Sequence, residues 1–121
     1  GRRAVALAPG SPFFKIQWAV TLKKNGNEKE AERELKDSFA LSPDFSGRLL
    51  SQLAVEEFQK GSIPFAMGLF EAALQGNPSC VEAYYYRGLV LRQMGKPKES
   101  LRDIEKAREL NPEWVEQNRK Q

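Results

Sequence analysis

The chain has 121 residues, 40% hydrophobic and 29% charged, with a net charge of +3, which fits one compact domain or a short repeat array and not a disordered polyelectrolyte. It contains no histidine and a single cysteine, Cys80. An internal disulfide, a cysteine-based zinc site and every nucleophile–histidine pair are therefore excluded, and the 19 basic and 16 acidic residues are too evenly mixed for a nucleic-acid footprint.

No uncharged stretch is long enough to span a bilayer, so no membrane insertion is expected. The opening GRRAVALAPG is too short and too soon broken for a signal peptide. One lone cysteine suits a reducing compartment, and a cytoplasmic location is the expectation over a periplasmic or secreted one. No cofactor or metal is expected.

In chain order, residues 1–11 read as the tail of an earlier helix, because Pro9 stands 34 residues before Pro43. Ser11-Pro12 marks a helix start. From there Trp18, Ala19 and Leu22 recur at helical spacing, Gly26 ends the helix, and Ala31, Leu35 and Ser38 begin the pattern again. Ser42-Pro43 closes that second helix, since a residue before proline is pushed out of helical geometry. The same sentence is then repeated twice. Leu50, Leu53 and Ala54 precede Gly61, followed by Ala66, Phe70, Ala73 and Asn77-Pro78. Tyr84, Gly88 and Leu91 precede Gly95, followed by Ser100, Ile104, Ala107 and Asn111-Pro112. Asn27 and Ser62 stand where they can cap the second helices, and Pro97 fits a first turn.

Each glycine is followed by a small residue five positions later and by a proline seventeen later. Two antiparallel helices joined by a short turn must approach closely just beyond it, so bulk at residues 31, 66 and 100 would hold them apart. Ala19, Ala54 and Gly88 supply the facing notch, and Ser38, Ala73 and Ala107 let the next unit stack. The units are 12–46, 47–80 and 81–114, with 115–121 starting a further helix. Gly26 to Gly61 is 35 residues and Gly61 to Gly95 is 34, which places the extra residue in a connector at position 46.

This pattern resembles the tetratricopeptide repeat family, whose period is the same. The resemblance implies an all-α fold, an α-solenoid of three helix-turn-helix units with partial helices at both ends, in a fragment of a larger repeat protein. Lys15, Glu57 and Arg87 depart from the apolar residues usual at their places, with Phe14 and Phe58 as neighbours able to cover for the first two. Trp18 and Tyr84 are core by position. Trp114 has two readings: it packs on the following helix, or it has lost a neighbour.

By the same resemblance, first helices line a concave face that holds a peptide or helix of a partner protein. The residues facing it are Phe13, Ile16, Val20, Lys23, Arg48, Gln52, Val55, Phe58, Tyr85, Tyr86, Leu89 and Arg92, an apolar and aromatic centre within a basic rim. Phe13 and Phe58 read equally well as packing between adjacent first helices. Members that hold the acidic tails of heat-shock chaperones use a clamp of Lys, Asn and Arg. The matching places here carry Ile16, Val20, Gln52, Glu82 and Tyr86, so that clamp is absent. A non-catalytic module is expected, or alternatively a substrate-presenting or scaffolding arm of a larger enzyme or assembly factor. Self-association through the ends of the stack is a further possibility. The charge-rich runs KNGNEKEAERELKD and RDIEKARELNPE read as solvated helix faces rather than as nucleic-acid surfaces.

Overall fold

A computed structural model describes residues 10–120. Residues 1–9, where the tail of an earlier helix is expected, lie outside the described residues. Among those described, seven helices follow one another without a strand: α1 (Pro12–Lys24), α2 (Glu28–Leu41), α3 (Pro43–Gln59), α4 (Ile63–Gly76), α5 (Val81–Gln93), α6 (Pro97–Leu110) and α7 (Pro112–Arg119).

The three turns are built alike. Gly26, Gly61 and Gly95 have φ of 83°, 93° and 80°, the left-handed region that glycine enters without steric cost. This conformation turns the following N–H groups back onto the helix just ended. Asn27 N–H donates to the Leu22 carbonyl at 2.8 Å, and Ser62 to Glu57 and Lys96 to Leu91, each at 2.9 Å. Carbonyls that would lack partners at a helix end are satisfied this way. Side-chain capping is used elsewhere. Ser11 accepts from the Phe14 N–H and Asn111 from that of Trp114, each at 3.1 Å. Asn27 and Ser62 hold the cap places without such a bond; their ψ of 65° and 68° falls short of extended backbone.

Two boundaries differ from the expectation: α7 begins at Pro112 rather than at residue 115, and α3 begins before the second unit. Helix α3 has 17 residues against 13 in α1 and α5, because it already starts at Pro43. Residue 46, expected in a connector, is a buried serine in its first turn. The Ser46 hydroxyl donates to the Ser38 carbonyl at 3.0 Å and lies 2.6 Å from the Ser38 hydroxyl. Proline at the first helical position needs no N–H partner, so the longer unit absorbs its extra residue as helix. The stretch after Asn77-Pro78 stays non-helical until Val81.

Helices pair within units as α1/α2, α3/α4 and α5/α6. At the closest approaches the small residues leave no room. Ala19, Ala31, Ala54, Ala66, Ala73 and Ala107 are wholly buried. A Cβ on Gly88 would meet Ile104 Cγ1 at 2.7 Å and the Ser100 carbonyl at 3.1 Å, and the Ser100 hydroxyl donates to the Gly88 carbonyl at 2.6 Å. The three charged departures are each paired. Lys15 reaches Glu34 and Asp37 at 3.5 and 3.7 Å, Glu57 meets Lys24 at 2.9 Å and Lys60 at 3.5 Å, and Arg87 grips both oxygens of Asp103 at 2.6 and 2.8 Å. Between units, the first helices α1, α3 and α5 contact one another more extensively than α2 contacts α4. The first helices therefore form the more closely packed layer of the stack.

Candidate functional site

Three of the expected inward residues are not accessible, and this corrects the sequence reading. Ile16 is fully buried, and Val20 and Tyr85 retain 7% and 6% of their exposure. Ile16, Ser51 and Tyr85 hold equivalent places in successive units, at the seam where one first helix meets the next. Ser51 is buried there too, its hydroxyl donating to the Gly47 carbonyl at 2.7 Å. Tyr85 is covered by Trp114 on α7, with ring centroids 5.3 Å apart and planes at 90°. Trp114 also stands edge-on to Tyr86 at 6.0 Å. Neither of its two readings holds: Trp114 lies within α7 itself and packs back onto the preceding α5. Only the aromatic run at 84–86 hinted in the sequence that α5 would need such a cover.

Other candidates divide by location. Phe13 lines a hollow of about 320 Å³ with Phe14, Gln17, Trp18 and Thr21, apart from the rest. Trp18, expected in the core, is 42% exposed. Its counterpart Leu53 packs on the main core, whereas no described helix lies over that side of α1. Tyr84 is half-buried and packs at the edge of the cluster of Tyr85, Ala107 and Val115, with the Arg87 guanidinium 5.9 Å from its ring centroid. Lys23 is bonded to Glu28 at 3.2 Å instead of standing free on the rim. Phe58 is half-buried against the main core.

What remains is a strip on the adjacent helices α3 and α5. Val55, Tyr86 and Leu89 are half-exposed, and Arg48, Gln52 and Arg92 are exposed. Among the described residues, the Gln52 and Arg92 side chains and the Tyr86 hydroxyl have no hydrogen-bond or ion-pair partner. Arg48 lies over the Phe45 ring at 5.9 Å, which leaves its N–H groups available. Burial, then the nearby Glu82 and Tyr85, pushes the Tyr86 hydroxyl pKa up, so it stays a neutral donor.

The strip offers recognition groups and little chemistry. Cys80 is 2% exposed, and burial before other causes raises its thiol pKa, keeping it unreactive. A Cβ on the facing Gly47 would sit 2.9 Å from its sulfur, so Cys80 packs as a small apolar residue. Among the described residues no cluster of three metal-ligating side chains occurs, and no helix is long and apolar enough to cross a membrane.

Paired helices, left-handed glycine turns and stacked first helices define an α-solenoid of helix-turn-helix units. The chain belongs to the tetratricopeptide repeat family, whose model matches residues 81–113. It is 34% identical to the antiviral innate immune response effector IFIT1 of Macaca fascicularis, over 82% of this chain and 21% of that protein. It is 30% identical to the mitochondrial import receptor subunit TOM70 of Rattus norvegicus, over 80% of this chain and 18% of that protein. Against Hsp70-Hsp90 organizing protein 3 of Arabidopsis thaliana it is 29% identical, over 78% of this chain and 17% of that protein. The chain thus spans about a fifth of the length of these relatives. Repeat proteins of this family generally mediate protein–protein interactions.

Proposed function

We propose that the chain is a non-catalytic binding module that holds a peptide or helical segment of a partner protein on its first-helix face. Val55, Tyr86 and Leu89 form the apolar and aromatic floor. Arg48, Gln52 and Arg92 supply donors for carboxylates and backbone carbonyls of the ligand. The observation that carries this reading is the set of unengaged donors beside half-exposed apolar groups on two adjacent helices. Names such as import receptor subunit and organizing protein among the relatives accord with it.

The test is a peptide-display selection on the purified chain, followed by affinity measurements on the selected peptide. Tyr86→Ala is expected to lose about 2 kcal/mol of binding, as aromatic anchors do, with helical content retained and a melt of the same variant measuring what its contact with Trp114 adds to stability. Arg92→Ala should weaken binding mainly at low salt, and Arg102→Ala on the outer layer should leave it intact. Undiminished binding by a Tyr86→Ala and Leu89→Ala double variant would overturn the assignment.

A further inference from the structure

The outer layer has a groove of its own. Between α2 and α4 lies a cavity of about 400 Å³ floored by Leu35, Phe39, Ala40, Ala72 and Gly76. Gly76 lets the α4 backbone rest on Phe39: a Cβ there would sit 2.5 Å from the ring, so this pair closes one end.

The two banks differ in charge. The α4 bank presents Gln75, and the whole of α4 has one charged residue, Glu71. That carboxylate lines a different hollow, beside Arg87. The α2 bank presents Glu32 and Lys36. By composition α2 is acidic, with Glu28, Glu30, Glu32, Glu34 and Asp37 against Lys29, Arg33 and Lys36.

Folding sorts these charges. Glu28 is drawn to Lys23 at 3.2 Å, and Glu34 and Asp37 to Lys15 at 3.5 and 3.7 Å, all toward α1. Lys29, Arg33 and Lys36 follow at four and three residues, so they share the outward face. All three are exposed, and among the described residues none is in an ion pair. Glu30 and Glu32 are exposed and unpaired too, but Glu32 is the one carboxylate lining the groove, so the α2 side carries a stripe of three free cations beside a single carboxylate.

We infer that this groove docks an amphipathic helix of a partner protein that carries acidic side chains beside its apolar face. The apolar floor takes the ligand's aliphatic residues, and Lys29, Arg33 and Lys36 take its carboxylates. A nucleic acid fits less well, because three cations neutralise few phosphates and Phe39, at 9% exposure, offers no ring for base stacking. The site lies on the layer opposite the first-helix face and stands or falls apart from it.

Two synthetic amphipathic helices of about 16 residues test this, sharing one leucine face and flanked by Glu in one and Lys in the other. Each is titrated into the isotope-labelled chain at low salt. The Glu peptide should bind about tenfold more tightly than the Lys peptide. Its amide shifts should centre on Phe39, Ala40, Ala72 and Gly76, with Val55, Tyr86 and Leu89 unmoved. The surface variant Lys29→Glu, Arg33→Glu, Lys36→Glu, shown by circular dichroism to be folded, should reverse the preference. Equal binding of the two peptides, or shifts that fall on the first-helix face, would overturn the proposal. So would an oligothymidylate that binds more tightly than either peptide and is lost in the triple variant, since the stripe would then be a nucleic-acid contact.

Discussion

Tyr85 lies beneath Trp114, their rings edge to face with centroids 5.3 Å apart, and together with Val115 and Ala107 they form a second small core. A residue that resembles a ligand anchor by its place in the repeat thus holds α7 onto the stack. Tyr85→Ala is expected to cost about 3 kcal/mol, within the usual range for deleting a buried aromatic side chain. Urea denaturation measures it; a variant as stable as the parent would mean that Tyr85 is dispensable to the fold.

Gly88 and Gly68 should respond oppositely to the same change. At Gly88 a methyl group meets Ile104 at 2.7 Å and the Ser100 carbonyl at 3.1 Å, and backbone cannot step aside cheaply. Gly88→Ala should therefore cost about 1–3 kcal/mol. At Gly68, inside α4, a Cβ meets nothing within 4 Å, so Gly68→Ala should raise stability by up to about 1 kcal/mol. Thermal melts of the pair decide it, and similar shifts would mean the α5/α6 contact is looser than described.

Glu57 should make stability depend on pH in a defined direction. The hydrogen bond from Lys24 is the main cause lowering its pKa; burial opposes it, and the charges of Lys24 and Lys60 add to the lowering. Because the folded value lies below the unfolded one, the contribution is complete above the ordinary glutamate pKa. It is lost as pH falls through the folded value. The melting gap between the parent and Glu57→Gln should be widest near neutral pH and narrow as the pH is taken below the ordinary glutamate range. A gap of constant size would show that the charge is not what Glu57 contributes.

Arg87 and Asp103 should behave as a unit. Their side chains are 22% and 11% exposed, so removing one strands the other in a poorly solvated place. Asp103→Ala alone should cost about 2 kcal/mol or more, while Arg87→Leu combined with Asp103→Ala should recover most of the loss. A double-mutant cycle read by chemical denaturation measures the coupling; additive losses would deny it.

Chaperone tails supply a negative test. A peptide ending in Glu-Glu-Val-Asp should bind no better than the same peptide with its terminal carboxylate blocked. Ile16 and Val20 are buried, and Gln52 and Tyr86 offer no cation. Calorimetry showing a clear preference for the free carboxylate would point to Arg48 or Arg92 as an equivalent clamp.

Spacing alone disclosed the turns, the small contact residues and the stacked fold, because glycine, alanine and proline act through backbone geometry and contact distance, which are local. The same spacing made Tyr85 and Tyr86 look alike, although one is seam and the other surface. Which side of a helix is covered depends on a neighbour far along the chain, here Trp114, and no local rule reports it. Charge behaved similarly. Lys15, Glu57 and Arg87 read as departures from the pattern until packing put Asp37, Lys24 and Asp103 beside them. Composition makes α2 acidic, yet Lys29, Arg33 and Lys36 stand as a free basic stripe, because Lys15 and Lys23 on α1 pair with three of its five carboxylates. Sequence determined the repeat and its close contacts through steric periodicity; tertiary structure alone decided exposure and charge pairing, since both depend on residues that are distant in the chain and adjacent in space.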